Sequence, residues 1–230
     1  MTGSEDYVSS SLLPWIDIKA KNFKNFMNLG VKKIYKKNSA IVEQGEKTDS
    51  IFYLSKGKVK VLLLTTQGEE KLFWYASEGN IIGDVPFFHF YPSNASIIAE
   101  EDCEVYIYDR NTFLNILHTN PEFADYMLNI MARKIRVLVN QVQDISFNNP
   151  TKRISKLLYL LTEQFGRKSE KGTELKLDIT HKEIASITCV HRVTVTNVLS
   201  NLKNEGVIKK SKLGTIIIID KNKLHKYAFD

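Results

Sequence analysis

Residues 179–208, ITHKEIASITCVHRVTVTNVLSNLKNEGVI, constrain this chain more than any other stretch. Thr180 and Glu183 make a Thr-x-x-Glu capping box, so a helix is predicted to start near His181. Ile184, Ala185 and Ile187 give it an apolar face, and the small Ala185 lets a second helix cross close by. Cys189-Val190 interrupt the pattern. A second helix is predicted from about His191 to Asn204, with Val195, Leu199 and Leu202 inward and Gly206 where a left-handed stop is expected. Its outer face carries His191, Arg192, Val193, Thr194, Asn197 and Asn201, types that suit base edges and phosphates. Two surface helices of an ordinary helical domain are the plainer alternative.

The flanks favour the first reading. Val207–Lys210 and Thr215–Ile219 read as two strands around Ser211-Lys212-Leu213-Gly214, and Glu174–Ile179 alternates just before the helix pair. Charge agrees. Residues 148–230 hold 16 Lys+Arg against 8 Asp+Glu, a balance of +8, whereas residues 1–147 hold 16 against 18. A basic half beside a slightly acidic one implies a polyanion partner, although a lysine-rich solvated surface has the same composition. Strand, helix, helix, hairpin is the order of a winged helix-turn-helix, and the stretch resembles the DNA-binding domain of the Crp/Fnr family of bacterial transcription regulators. The resemblance implies DNA contacts from Thr180, from the outer-face residues of the second helix, and from Lys209, Lys210 and Lys212 around the wing.

Upstream, residues 38–110 read as all-β. Apolar runs recur at Ala40–Val42, Ile51–Leu54, Val59–Leu64, Lys71–Tyr75, Ile81–Ile82, Ile97–Ala99 and Val105–Tyr108, with Gly45, Gly57, Gly68, Gly79 and Gly83 in the gaps. Gly57 is expected to mark one hairpin and Thr66-Gln67-Gly68 the next. Glu43-Gln44-Gly45-Glu46, Ile51–Leu54 and Lys56-Gly57 resemble the opening of the family's cyclic-nucleotide-binding β-roll, and Gly79 to Gly83-Asp84 resembles its middle. Ile18–Leu29 is predicted to be a short amphipathic helix ended by Gly30, and 167–173 a polar turn.

Residues 111–147 read as helical. Leu128, Ile135 and Val142 are spaced by seven, as are Met131, Leu138 and Ile145, and the two series interleave into a heptad seam. Met127, Ile130 and Val137 form a second apolar strip able to pack on the chain's own domain. In the family this helix is the dimer interface, so the resemblance implies a homodimer. Asn149 and Pro150 then suit the cap and first position of another helix, running to about Phe165. The expected fold is α+β: a cyclic-nucleotide-binding-like β-roll with a dimerisation helix (about 121–147) in residues 1–147, and a winged helix-turn-helix in 148–230.

The effector is narrowed by what stands in the β-roll. Cyclic-AMP receptors of the family close their phosphate cassette with Arg-Ser and meet the purine with Thr-Ser on the dimer helix. Here Gly83-Asp84 open the cassette, Asn94-Ala95 replace Arg-Ser, and Leu138-Val139 replace Thr-Ser. Without the arginine fork a cyclic phosphate keeps an unpaired charge in a partly buried site, which disfavours cyclic AMP. Aromatics are dense at Phe73-Trp74-Tyr75 and Phe87–Tyr91. Glu70-Lys71-Leu72 with Trp74-Tyr75, Asn80–Gly83 and Val190–Val195 resemble the halorespiration regulators of the CprK type, which bind chlorinated phenols. The resemblance implies an aromatic, halogenated or acidic effector near Trp74, Tyr75, Gly83, Asp84, Asn94 and Leu138, with Arg133 and Lys134 meeting a phenolate or carboxylate.

Other classes fare worse. The chain shows no paired carboxylates, nucleophile–base spacing or phosphate loop for an enzyme, and no cofactor or metal-ligand set; His89 is a lone loop histidine. Two cysteines, Cys103 and Cys189, make no disulfide framework, though a thiol trigger at Cys189 is one alternative. A nucleotide-binding module acting on a protein partner is another. No apolar run spans a bilayer and MTGSEDYVSS lacks a signal segment, so the expected setting is cytoplasmic. The expected partners are double-stranded DNA carrying an inverted repeat, a second copy of the chain, a small effector, and RNA polymerase as a candidate; no membrane is among them.

Overall fold

A computed structural model describes residues 13–170, 172–211 and 214–230. The chain divides into two compact units, Pro14–Ile135 and Arg136–Asp230. The division falls inside the longest helix, whereas the sequence places the functional boundary at 147/148. No helix among the described residues is long and apolar enough to cross a membrane.

The first unit is a roll of two sheets. One has the order β1-β6-β5-β8-β3, from Trp15–Ile16, Glu70–Ser77, Lys58–Leu64, Ser96–Ala99 and Ala40–Val42; the other has the order β2-β9-β4-β7, from Val31–Tyr35, Cys103–Asp109, Ser50–Lys56 and Ile81–Ile82. All seven apolar runs are strands. Gly57 does not mark a hairpin: β4 and β5 lie in different sheets, and Gly57 (φ 99°) is the corner where the chain changes sheet. A Cβ there would stand 2.7 Å from Cys103 Sγ and 2.9 Å from the Asp102 carbonyl, so only glycine fits. Gly68 does close the β5–β6 hairpin, its N–H donating to the Thr65 carbonyl. The core is built on aromatics: Phe23 lies 4.7 Å from both Tyr53 and Phe123 between ring centroids, and 5.4 Å from Tyr108.

Three differences stand out. The segment before Gly30 is a 3-10 helix over Phe23–Leu29, starting later than the sequence suggests. A short helix, α1 (Asp84–His89), interrupts the all-β stretch; Gly83 precedes it at φ 80°, and a Cβ there would meet the Phe52 ring at 2.7 Å. The helical region also breaks, giving α2 (Arg110–Thr119), capped by Asp109 on the Thr112 N–H, and α3 (Pro121–Phe147). At 27 residues α3 is about 40 Å long.

In the second unit, α4 (Pro150–Phe165) starts as expected, with the Asn149 side chain accepting from the Lys152 N–H at 2.9 Å. The predicted turn at 167–173 is instead mostly strand: β10 (Gly166–Ser169) pairs with β11 (Gly172–Leu175). With β12 (Ile208–Lys210) and β13 (Ile216–Ile218) they form a sheet of order β10-β11-β13-β12. Between them lie α5 (His181–Thr188) and α6 (Arg192–Asn204), and a last helix, α7 (Lys221–Phe229), is capped by Asp220.

Candidate nucleic-acid interface and effector site

The helix pair is locked locally. Thr180 Oγ1 accepts from the Glu183 N–H at 3.1 Å and Glu183 Oε2 accepts from the Thr180 N–H at 2.8 Å, the reciprocal capping box. Cys189 turns the chain in the left-handed region at φ 52°, and the Val190 N–H donates to the Ala185 carbonyl. On α6, Val195, Val198, Leu199 and Leu202 are buried, while His191, Arg192, Val193, Asn197 and Asn201 are exposed. Thr194 is only half-buried. Val193 is 70% exposed, unusual for a valine beside a fully buried Val195. The wing is fastened to the end of α6: the Val207 N–H donates to the Leu202 carbonyl, and the Ile219 N–H to the Val207 carbonyl. Lys209 and Lys210 on β12 are exposed; Lys212 lies outside the described residues.

Two residues absent from the sequence-based set join this surface. His181 Nδ1 lies 3.0 Å from Thr196 Oγ1, and Lys210 Nζ lies 3.1 Å from His181 Nε2. One contact joins α5 to α6 and the other joins α5 to the wing. Thr196 sits one residue from Asn197 on the outer face, and that spacing was the available signal. His181 is visible in the sequence only as a helix start.

The effector residues are more scattered. Lys134 Nζ donates to Asp84 Oδ1 at 2.6 Å, and their side chains are 7% and 5% exposed. The ammonium also lies 5.4 Å from the Trp74 ring centroid. Lys134, Asp84, Gly83 and Trp74 thus form one group. The Tyr126 hydroxyl, missed in the sequence, accepts from the Ile81 N–H at 3.2 Å, and burial pushes its pKa up. Asp84 acts on it in the same direction.

Tyr75 does not join that group. Successive strand residues point to opposite faces. Tyr75 packs on Trp15 (5.2 Å between centroids) and under Lys58 Nζ (4.1 Å), away from the face Trp74 shares with Lys134. Arg133 Nη2 donates to the Trp15 carbonyl at 3.3 Å, on the Tyr75 side. Asn94 is an exposed loop residue after α1. The Phe87–Tyr91 aromatics are not one wall either: Phe87 is in the core against Phe113, whereas Phe90 and Tyr91 are exposed. Leu138 is half-buried on the seam face of α3, in the second unit.

That seam face is exposed, with Leu128 67%, Ile135 61% and Val142 63% accessible and Ile145 close behind; Met131 and Leu138 are half-buried. Met127, Ile130 and Val137 are buried, as their separate strip suggests. Cys103 is buried and donates to the Lys58 and Glu101 carbonyls; burial pushes its thiol up, which suits a structural role rather than a reactive one.

Comparison with known proteins adds the following. Residues 32–120 match the cyclic nucleotide-binding domain, and residues 152–227 match the Crp-like helix-turn-helix domain. The "cAMP-activated global transcriptional regulator CRP" of Salmonella typhimurium is 29% identical over 187 residues, 80% of this chain and 87% of that protein. A structure of CprK complexed with OCPA superposes with a TM-score of 0.80 at 26% identity, covering 94% of this chain and 98% of the other. Oxidized CprK in complex with o-chlorophenolacetic acid gives 0.52 at 26%, covering 97% and 93%. Both domains occur in order, and the likeness runs nearly end to end. The chain therefore belongs to the Crp/Fnr family of transcription regulators, with an effector-binding domain followed by a helix-turn-helix DNA-binding domain.

Proposed function

We propose that this regulator acts as a homodimer on an inverted-repeat operator, under control of an acidic aromatic effector of the halogenated phenol type. The observation that carries the effector reading is the buried Lys134 ammonium beside Trp74, held at 2.6 Å by Asp84. A cation kept in an apolar setting suits an aromatic acid, with the indole against the ring and the ammonium against its oxygen. CprK, bound to o-chlorophenolacetic acid, supports the same ligand class. Cyclic AMP is disfavoured because exposed Asn94 brings no guanidinium to the roll.

Dimerisation rests on the seam. Leu128, Ile135, Val142 and Ile145 expose an apolar stripe along α3 that a second copy would cover, each side chain contributing roughly 1.5–3 kcal/mol on full burial. Effector binding then biases how the paired helices and the DNA-binding domains, taken as residues 148–230, are arranged. RNA polymerase is a candidate partner of the DNA-bound form.

Val193 specifies the operator. The resemblance to the Crp/Fnr family implies that many members carry a glutamate there, which accepts from a cytosine amino group. Valine cannot, but its methyls can touch a thymine methyl in the major groove. The half-site is therefore TTAAT-like where relatives use TTGAT, with half-site centres about one helical turn apart.

The test is thermal-shift titration with o-chlorophenolacetic acid and, separately, with cyclic AMP at about millimolar concentration. The acid should raise the melting temperature and alter affinity for a TTAAT inverted repeat, and cyclic AMP should do neither. A saturable shift with cyclic AMP would overturn the effector reading.

A further inference from the structure

We propose that His181, Lys210 and Arg192 together hold one backbone phosphate of bound DNA, and that His181 takes up a proton when it does so. The inference rests on the DNA-binding reading above.

The hydrogen-bond directions in the free protein follow from which groups can donate. A lysine ammonium has donors and no acceptor. Its 3.1 Å contact with His181 Nε2 therefore requires that nitrogen to be unprotonated. The ring proton is then on Nδ1, which donates to Thr196 Oγ1 at 3.0 Å, and Thr196 Oγ1 donates to the Arg192 carbonyl at 3.1 Å. A one-way chain runs from the wing strand through α5 to α6 and fixes the neutral imidazole in one tautomer.

The surroundings favour that neutral form. His181 is half-buried, and burial lowers its pKa, followed by the positive charges of Lys210 on β12 and Arg192 on α6. On its own helix, the Glu183 carboxylate is engaged by the Thr180 N–H and hydroxyl, both at 2.8 Å. Lys210 from β12 and His181 from α5 thus meet, and exposed Arg192 at the start of α6 adds a third positive charge that acts on the imidazole.

A phosphate entering between Lys210 and His181 changes the balance. Its oxygens accept from the ammonium at once, but from Nε2 only if that nitrogen carries a proton. The phosphate charge offsets the repulsion that kept the proton off, and both contacts become charge-assisted. The nitrogen–nitrogen contact is exchanged for two nitrogen–oxygen contacts and one proton.

The test uses a fluorescent mixed-sequence duplex of about 30 base pairs at fixed low ionic strength, because phosphate contacts are sequence-independent. From pH 6 to pH 8 the affinity should fall by about threefold per site, or about tenfold for a dimer with two sites, for a histidine whose pKa rises by about one on binding. His181→Asn should bind weakly with a flat profile, and His181→Arg should bind tightly at pH 8 with a flat profile. His118→Asn, which alters an exposed histidine on α2 outside the DNA-binding surface, should keep the wild-type slope. A slope surviving His181→Asn, or no recovery at pH 8 with His181→Arg, overturns the proposal. If His181→Asn does not fold, calorimetry of wild type in two buffers of different ionisation enthalpy counts the protons directly, and zero uptake overturns it. Absence of duplex binding at every pH would instead remove the DNA-binding reading, whereas pH-independent binding removes only this one.

Discussion

Helices α3 and α6 are built alike and differ in what they show the solvent. Each buries one stripe: Met127, Ile130 and Val137 on α3, and Val195, Leu199 and Leu202 on α6. The outward stripe of α3 is aliphatic, whereas that of α6 is arginine, histidine and asparagine around the single apolar Val193. An aliphatic stripe is covered best by a copy of itself, and a polar, cationic one by a grooved polyanion. The buried stripes differ too. That of α6 is wholly apolar, but α3 places Lys134 among its buried residues and needs Asp84 to keep it there. On the proposed reading, α6 is a fixed reader and α3 carries a charge that a ligand can compete for.

The largest expected effect breaks the outward stripe of α3. Leu138→Glu sets two carboxylates against each other across a two-fold axis, costing roughly 3–5 kcal/mol, or at least a hundredfold in dimer dissociation. Sedimentation should find a monomer with weak operator affinity; an intact dimer places the seam elsewhere. Next is the buried stripe. Asp84→Asn leaves Lys134 uncompensated and should cost on the order of 3 kcal/mol of stability. Added o-chlorophenolacetic acid should restore more of the melting temperature in this variant than in wild type, because the acid no longer competes with Asp84. Equal restoration in both would show that Asp84 does not guard Lys134.

On α6 the effects are smaller. Val193→Glu should move preference from the A·T to the G·C half-site by roughly 1–3 kcal/mol, read by competition between operators differing at that pair. A variant that keeps the wild-type preference means another residue reads the base. Thr180→Ala should lower stability by about 1 kcal/mol through the lost cap, without changing which half-site is preferred.

What could be read from the residues followed the strength of local patterning. The seven apolar strands, the capping box and the Asn149-Pro150 helix start each announce themselves within a few positions. Strand β10 could not, because Gly-Arg-Lys-Ser lies exposed or half-buried and has no alternation to detect. Helix α7 buries only Leu224 and Ala228, too few to make a stripe. At the effector site, Lys134 and Asp84 were both singled out, but their pairing spans 50 positions and has no local signature. Trp74 and Tyr75 look like one aromatic wall in the sequence because adjacency hides the strand's two faces. His181 was hidden differently, since its role depends on a wing residue 29 positions away.

Lys134 and Ile135 are neighbours on α3, and successive helix positions are about 100° apart around the axis. One points into the ion pair with Asp84, and the next points out onto the aliphatic stripe. Helix α3 is therefore a shaft with its handle and its gear tooth at the same height. A ligand that draws the ammonium sideways by turning the shaft about 20° swings a side chain about 5 Å off the axis through roughly 2 Å, the size of shift that re-registers helix interfaces. On the proposed reading no long relay is needed, because buried Lys134 and outward Ile135 are joined by a single peptide bond.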